Sequence, residues 1–196
     1  MYSDLKGKVA IVTGSASGIG KVIAEILVRE CVITVVADID VENGKRTVEE
    51  LNRKCPSKKN IFIHTDVSER ESVESMVDEV VKRFGRIDIL VNNAGINIPR
   101  LLVDPKGKQE ITDEIWERTV SINQKGTYLC SQAVVRHMIK KGNNGVIINV
   151  SSESALEGSH GQSVYAGTKA AIYSYTRSWA KELGRFNIRV VGVAPG

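Results

Sequence analysis

The sequence predicts an α/β fold: a doubly wound parallel sheet covered by helices on both faces, a three-layer αβα arrangement in a single domain. Six short, largely β-branched apolar runs are spread along the chain, and the intervals between them switch to helical spacing. A third observation sets the scale. The 196 residues hold one domain with a sizeable core and are too few for two ordinary ones.

The elements follow in order. "KVAIVT" (Lys8–Thr13) is the first strand candidate, and Gly14–Glu30 shifts to helical spacing. "VITVVA" (Val32–Ala37) is the second, followed by the helical "VENGKRTVEELNRK". "IFIHT" (Ile61–Thr65) comes third. The helix behind it places Val73, Met76, Val77, Val80 and Val81 on one face at i, i+3, i+4, i+7 and i+8. "IDILV" (Ile87–Val91) is the fourth strand, then a polar loop and a long helix around Asp113–Lys140. "GVIINV" (Gly145–Val150), a helix over Ser163–Leu183 and "IRVVGV" (Ile188–Val193) complete the series.

Composition excludes several classes. Apolar residues make up 42% of the chain, charged residues 26%, and the formal charge is +4, which is ordinary for a globular protein. The densest basic cluster, "NRKCPSKKN" (Asn52–Asn60), contains a proline and no aromatic residue, so it reads as a solvated turn and no nucleic-acid partner is expected. Cys31, Cys55 and Cys130 are far apart and form no C-x-x-C, so neither a metal site nor a disulfide framework is expected. No apolar run approaches the length of a membrane span or a signal peptide, and the expected compartment is the cytoplasm.

Ligands of such sheets bind beyond the carboxyl ends of the strands, so functional residues are expected just after each apolar run. After the first comes "TGSASGIG". Gly14, Gly18 and Gly20 allow a tight turn and bring the N–H groups of a helix N-terminus close to a pyrophosphate. The spacing is not a P-loop, because Val22 stands where Ser or Thr is required. After the second run comes Asp38, whose carboxylate can accept hydrogen bonds from ribose hydroxyls. After the third come Asp66 and Val67, where the aspartate also suits a helix N-cap. "NNAG" (Asn92–Gly95) offers small residues against which a flat ring can lie. Ser151 and Ser152 follow the fifth run. In the next helix Tyr165 and Lys169 stand four apart on one face, a spacing repeated at Tyr2 and Lys6 ahead of the first strand.

Together "TGSASGIG", Asp38, Asp66-Val67, "NNAG", "SINQKG" with Asn123, Ser152, "YAGTK" and the final "PG" resemble the short-chain dehydrogenase/reductase family, in order over nearly the whole chain. Ser152 precedes Tyr165 by thirteen positions, as the family pattern asks, and the Tyr2/Lys6 pair has no such serine. The resemblance implies a Rossmann-type sheet and nicotinamide-dependent hydride transfer between an alcohol and a ketone. The implied catalytic residues are Asn123, Ser152, Tyr165 and Lys169. The implied cofactor residues are Gly14, Ser17, Gly18, Ile19, Gly20, Asp38, Ile39, Asp66, Val67, Asn93, Ala94, Gly95, Tyr165, Lys169, Pro195 and Gly196; no metal is implied.

The chemistry accounts for these types. An ordinary tyrosine keeps its proton at neutral pH, but an ammonium beside it, with the positive ring of an oxidised nicotinamide, favours phenolate. Tyr165 is then the proton acceptor or donor, Ser152 polarises the substrate oxygen, and Lys169 also matches the family lysine on the nicotinamide ribose. Asn123 matches the residue that bends its helix and orders a relay water. NAD is expected over NADP, since Ser17 and Ile39 occupy the positions where NADP users carry a basic residue. No G-x-S-x-G is present, and His64 reads as structural; His160, in the loop between Ser152 and Tyr165, is a candidate for lining the substrate mouth.

Two departures matter. Cys31 stands where most relatives end the first helix with glycine, and a cysteine takes a left-handed conformation only at a cost. Relatives also continue past "PG" through a substrate lid, more helix and a final strand, so the expectation for 1–196 is a dinucleotide-binding domain without that segment. A catalytically silent binding module is the rival reading. "NNAGINIPRLLVDP" and its neighbours are similar to a subgroup acting on sugar-alcohol phosphates such as sorbitol 6-phosphate, with Arg100, Lys106 and Lys108 as candidate phosphate attractors; a 3-oxoacyl thioester reductase is the alternative. The surplus of apolar residues in "WERTVSINQKGTYLCSQAVVRHM" and the family's habit of pairing through its two long helices imply a homodimer or homotetramer.

Overall fold

The computed structural model describes residues 4–55, 59–142 and 144–196. Tyr2, and residues 56–58 of the basic cluster, lie outside them. Strands β1 (Val9–Thr13), β2 (Ile33–Asp38), β3 (Ile61–His64), β4 (Ile89–Asn92), β5 (Gly145–Val150) and β6 (Ile188–Val193) form one parallel sheet in the order β3-β2-β1-β4-β5-β6. The chain winds outward from β1 to β3, then returns to place β4 on the other side of β1. The carboxyl ends of β1 and β4 therefore flank the crevice where ligands of such sheets bind.

Side-chain alternation along the strands divides the core. Val9 and Ile11 of β1 face helix α3 (Arg70–Phe84), helix α5 (Gly126–Lys141) and helix α7 (Ser163–Leu183), joining Met76, Leu129 and Val134 in one cluster. Ala10 and Val12 face the opposite side, where helix α1 (Gly18–Arg29) contributes Ile23 and Leu27. Helix α2 (Val41–Lys54) packs beside α1 through Leu51 and Val48.

Several expectations are corrected. The helix after β1 begins at Gly18 rather than Gly14, because Gly14 (φ 64°) and Gly18 (φ 55°) both turn the backbone left-handed. The long helix is divided into α4 (Asp113–Thr119), a π-helical turn (Val120–Lys125) and α5, without a break between them. Helix α6 (Ser154–Glu157) was not anticipated. Cys31 does adopt φ 62°. It closes α1, with its N–H donating to the Val28 carbonyl (3.0 Å) and the Val32 N–H to that of Leu27 (3.0 Å), at a cost of about 1 kcal/mol for an L-residue. His64 ends β3 exposed rather than packed. Asp66 does not cap α3, whose N-cap is Glu69; it accepts from the Ser68 N–H (2.9 Å) and hydroxyl (2.7 Å) in the turn ahead of it. On β6, the last strand, Val191 (41%) and Val193 (46%) are exposed.

Candidate active site

The glycine loop is shaped by two close approaches. A Cβ on Gly14 would lie 2.7 Å from the Ala94 Cα, and one on Gly20 would lie 2.2 Å from the Gly14 carbonyl oxygen. Gly18 differs, since nothing lies within 4 Å of its missing Cβ and its backbone faces open space. Ser17, the N-cap of α1, makes no side-chain cap bond, and the first turn holds no acidic residue. The N–H groups of Gly18, Ile19 and Gly20 thus have no acceptor among the described residues, an arrangement suited to a phosphate.

Asn93 latches this loop from the end of β4. Its Nδ2 donates to the carbonyls of Thr13 (3.0 Å) and Gly14 (2.9 Å), while Thr13 Oγ1 accepts from the backbone N–H groups of Asn93 and Ala94 (3.1 Å each). Two adjoining cavities, of ≈ 540 Å³ and ≈ 460 Å³, share Gly14, Ser17, Asn93, Gly95 and Ile96. The first extends to Asp38, Ile39, Asp66 and Val67, and the second to Ser152, Tyr165, Lys169, Pro195 and Gly196. The loop residues, both strand-end aspartates and the serine, tyrosine and lysine anticipated from the sequence therefore line one continuous crevice. Gly20 is buried behind it.

On the first side, Asp38 Oδ2 accepts from the Ala16 N–H (2.8 Å) and Oδ1 from the Asp40 N–H (3.0 Å). These bonds fix the carboxylate and leave a lone pair on each oxygen for a ligand hydroxyl. Val67 is buried and packs on Gly126, where a Cβ would come within 2.8 Å of its Cγ2.

On the second side, Lys169 is 3% exposed and its Nζ donates to the Val150 carbonyl (2.7 Å), 5.7 Å from the centroid of the Tyr165 ring. Burial pulls its ammonium down from the ordinary 10.5 to about 8. Gly95 lies beneath it, since a Cβ there would stand 3.5 Å from Nζ and 3.3 Å from Asn123 Oδ1. Asn123, fully buried in the π-helical turn, accepts from the Ile96 N–H (2.8 Å) and donates to the Ile96 carbonyl (2.9 Å) and Thr168 Oγ1 (3.1 Å). Thr168 in turn donates to the Tyr165 carbonyl (2.7 Å). One amide thereby ties the β4 loop to the first turn of α7. Ser152 Oγ accepts from the Ser154 hydroxyl (2.9 Å) and N–H (3.3 Å), which leaves its own hydrogen free to point outward. The Tyr165 hydroxyl has no hydrogen-bond partner among the described residues and is available to a ligand.

Sequence reasoning missed Ser154 and the far wall of the first cavity, Arg118, Ser121 and Ile122. The signal for Ser154 was the "SSES" string itself. His160 is exposed, as are Lys106 and Lys108; Arg100 is half-buried, and its N–H donates to the Gly161 carbonyl (2.7 Å) beside α7. Another cavity of ≈ 540 Å³ opens at the opposite end of the sheet around Lys8 and Asp88. The Asp88 carboxylate there is already held by Arg86, Lys8 and the Val9 N–H. No three His, Cys, Asp or Glu side chains among the described residues could hold a metal. No helix among them is long and apolar enough to cross a membrane.

The family model described as short chain dehydrogenase matches residues 8–196. Sorbitol-6-phosphate 2-dehydrogenase of Klebsiella pneumoniae is 51% identical over 198 residues, spanning 100% of this chain and 70% of that protein. A 3-oxoacyl-[acyl-carrier-protein] reductase of Thermotoga maritima is 42% identical, spanning 98% of this chain and 74% of its own length. The crystal structure of an NAD⁺-bound xylitol dehydrogenase superposes with a TM-score of 0.91 at 30% identity, covering 99% of this chain and 72% of that one.

Proposed function

The chain belongs to the short-chain dehydrogenase family, and on that premise we propose that it interconverts a sugar-alcohol phosphate, such as sorbitol 6-phosphate, and the corresponding ketone with NAD. At the coarser level the chain is an oxidoreductase of alcohols and ketones that uses a nicotinamide dinucleotide. The observation that supports this chemistry is the single crevice joining the open Gly18 backbone to Ser152, Tyr165 and Lys169.

The dinucleotide, when bound, supplies the hydride acceptor or donor. The chain's own residues have separate tasks. The free N–H groups at the start of α1 would hold the pyrophosphate, and the Asp38 carboxylate the adenosine ribose. Lys169, with one hydrogen committed to Val150, has two left for the nicotinamide ribose. Tyr165 would take the proton of the substrate alcohol at its phenolic oxygen, and Ser152 would donate its free hydrogen to the same substrate oxygen. Asn123 would act by position, holding Ile96 and Thr168 around the other three. Pro195 and Gly196 would border the nicotinamide. NAD is favoured over NADP because Asp38 is held in the crevice while Ile39 and Ser17 carry no charge.

Similarity to a sorbitol-6-phosphate dehydrogenase supports the substrate class, and the half-buried Arg100 with exposed Lys106 and Lys108 suits an anionic group. We read 1–196 as one dinucleotide-binding domain of a cytoplasmic homodimer or homotetramer. The exposed Tyr128 (37%) and Trp116 (54%) and the groove between α5 and α7 at Trp179 support that assembly. A panel of sorbitol 6-phosphate, sorbitol and 3-oxoacyl thioesters, each assayed with NAD(H) and NADP(H), tests the reading. Sorbitol 6-phosphate with NAD should be turned over with the highest kcat/KM; faster reduction of the thioesters would contradict it.

A further inference from the structure

The cavity beside Asp38 has a wall with no assigned part. Arg118, Ser121 and Ile122 stand at i, i+3 and i+4 along α4 and the π-helical turn, so one helix face meets Thr65, Asp66 and Ser68 across the cavity. Arg118 is exposed, and among the described residues its guanidinium makes no ion pair or hydrogen bond, although Asp38 and Asp66 line the same space. An arginine in the last turn of a helix usually compensates free carbonyls. Here α4 runs straight into the π-helical turn and α5, so no helix end is present to compensate. At the β2 side of the same cavity Ile39 is 61% exposed, an apolar side chain with little to cover it.

We propose that Arg118 is an adenine-binding residue: its guanidinium plane stacks on the adenine ring of the dinucleotide, with Ile39 and Ile122 supplying apolar contact. The inference rests on the dinucleotide reading given above. A guanidinium is planar and weakly hydrated and stacks on π faces. A phosphate is the poorer occupant of this end. The free N–H groups that suit it are at Gly18–Gly20, and the Asp66 carboxylate would repel it.

Isothermal titration of the apo protein with NADH and with ADP-ribose tests this. Arg118→Met keeps most of the stem and should raise both dissociation constants about tenfold. Arg118→Lys keeps the charge without the plane and should recover only part of the loss. The effect should persist at about 0.5 M NaCl, where attraction between exposed charges is screened. An unchanged affinity in Arg118→Met, full recovery by lysine, or a loss that vanishes in salt would each overturn the stacking role while leaving the dinucleotide reading intact. A wild-type protein that binds neither compound would contradict that reading, and the Arg118 proposal with it.

Discussion

Lys169 is the site residue whose burial most changes its chemistry. Its ammonium falls from 10.5 to about 8, so between those values the unfolded chain binds the extra proton and the folded one does not. The linkage sign is therefore that stability rises as pH rises through this window. In denaturant melts the wild type should gain on Lys169→Met between pH 7 and pH 10 by up to about 3 kcal/mol. A pH-independent difference would mean that the ammonium is solvated. The proposed preference for NAD turns on Asp38. A carboxylate about 4 Å from the extra phosphate of NADP would repel it by up to roughly 4 kcal/mol per unit charge at an effective dielectric near 20, and a tenfold preference needs only about 1.4 kcal/mol. NAD should exceed NADP at least tenfold in kcat/KM, and Asp38→Ala combined with Ile39→Arg should narrow or reverse the gap. Equal values in the unmodified protein would show that Asp38 does not meet the ribose. At this scale the residues that line the crevice were legible in the sequence, but the hydrogen bonds that position them were not. The Asn93 amide binds the loop carbonyls of Thr13 and Gly14, and no local pattern announces a bond between residues eighty positions apart.

The elements were legible where periodicity is strong and obscure where tertiary contacts decide. All six strands follow apolar runs, and α3 follows its Val-Met-Val-Val stripe. The π-helical turn was hidden because one extra residue per turn hardly disturbs the apolar spacing of a long helix. Its place is fixed by what Asn123 reaches, Ile96 and Thr168, both distant in sequence. Arg118 was missed for the same reason, since its importance comes from facing Asp66 and Ser68 across a cavity. Cys31 shows the reverse, a cost legible in sequence that the fold accepts. Its φ of 62° and half-exposed side chain predict that Cys31→Gly relieves strain at the end of α1. Thermal melts should rise by about 2–4 °C, corresponding to roughly 1 kcal/mol at this chain length. A fall would mean that the sulfur's packing outweighs the strain.

At the scale of the whole molecule the sheet sets the site. The return of the chain from β3 to β4 opens the crevice between the ends of β1 and β4, and α7 beside β5 brings Tyr165 and Lys169 to its rim. The second long-helix surface, with Tyr175 stacked on Trp179 at 5.1 Å and Tyr128 exposed, predicts self-association. Light scattering of a full-length protein at micromolar concentration should give a dimer or tetramer, and a monomer would contradict the assembly. Sequence pattern foretold the layers, while the named chemistry came from matching motifs rather than from periodicity. The central claim is that this crevice binds NAD and that the Tyr165 hydroxyl carries the proton. It is tested most directly by Tyr165→Phe, measured both for NADH affinity and for turnover of sorbitol 6-phosphate. The account predicts an NADH dissociation constant within about threefold of wild type, roughly 0.7 kcal/mol, together with a loss in kcat of about 10²-fold or more. A variant that kept more than about a tenth of wild-type turnover would contradict it.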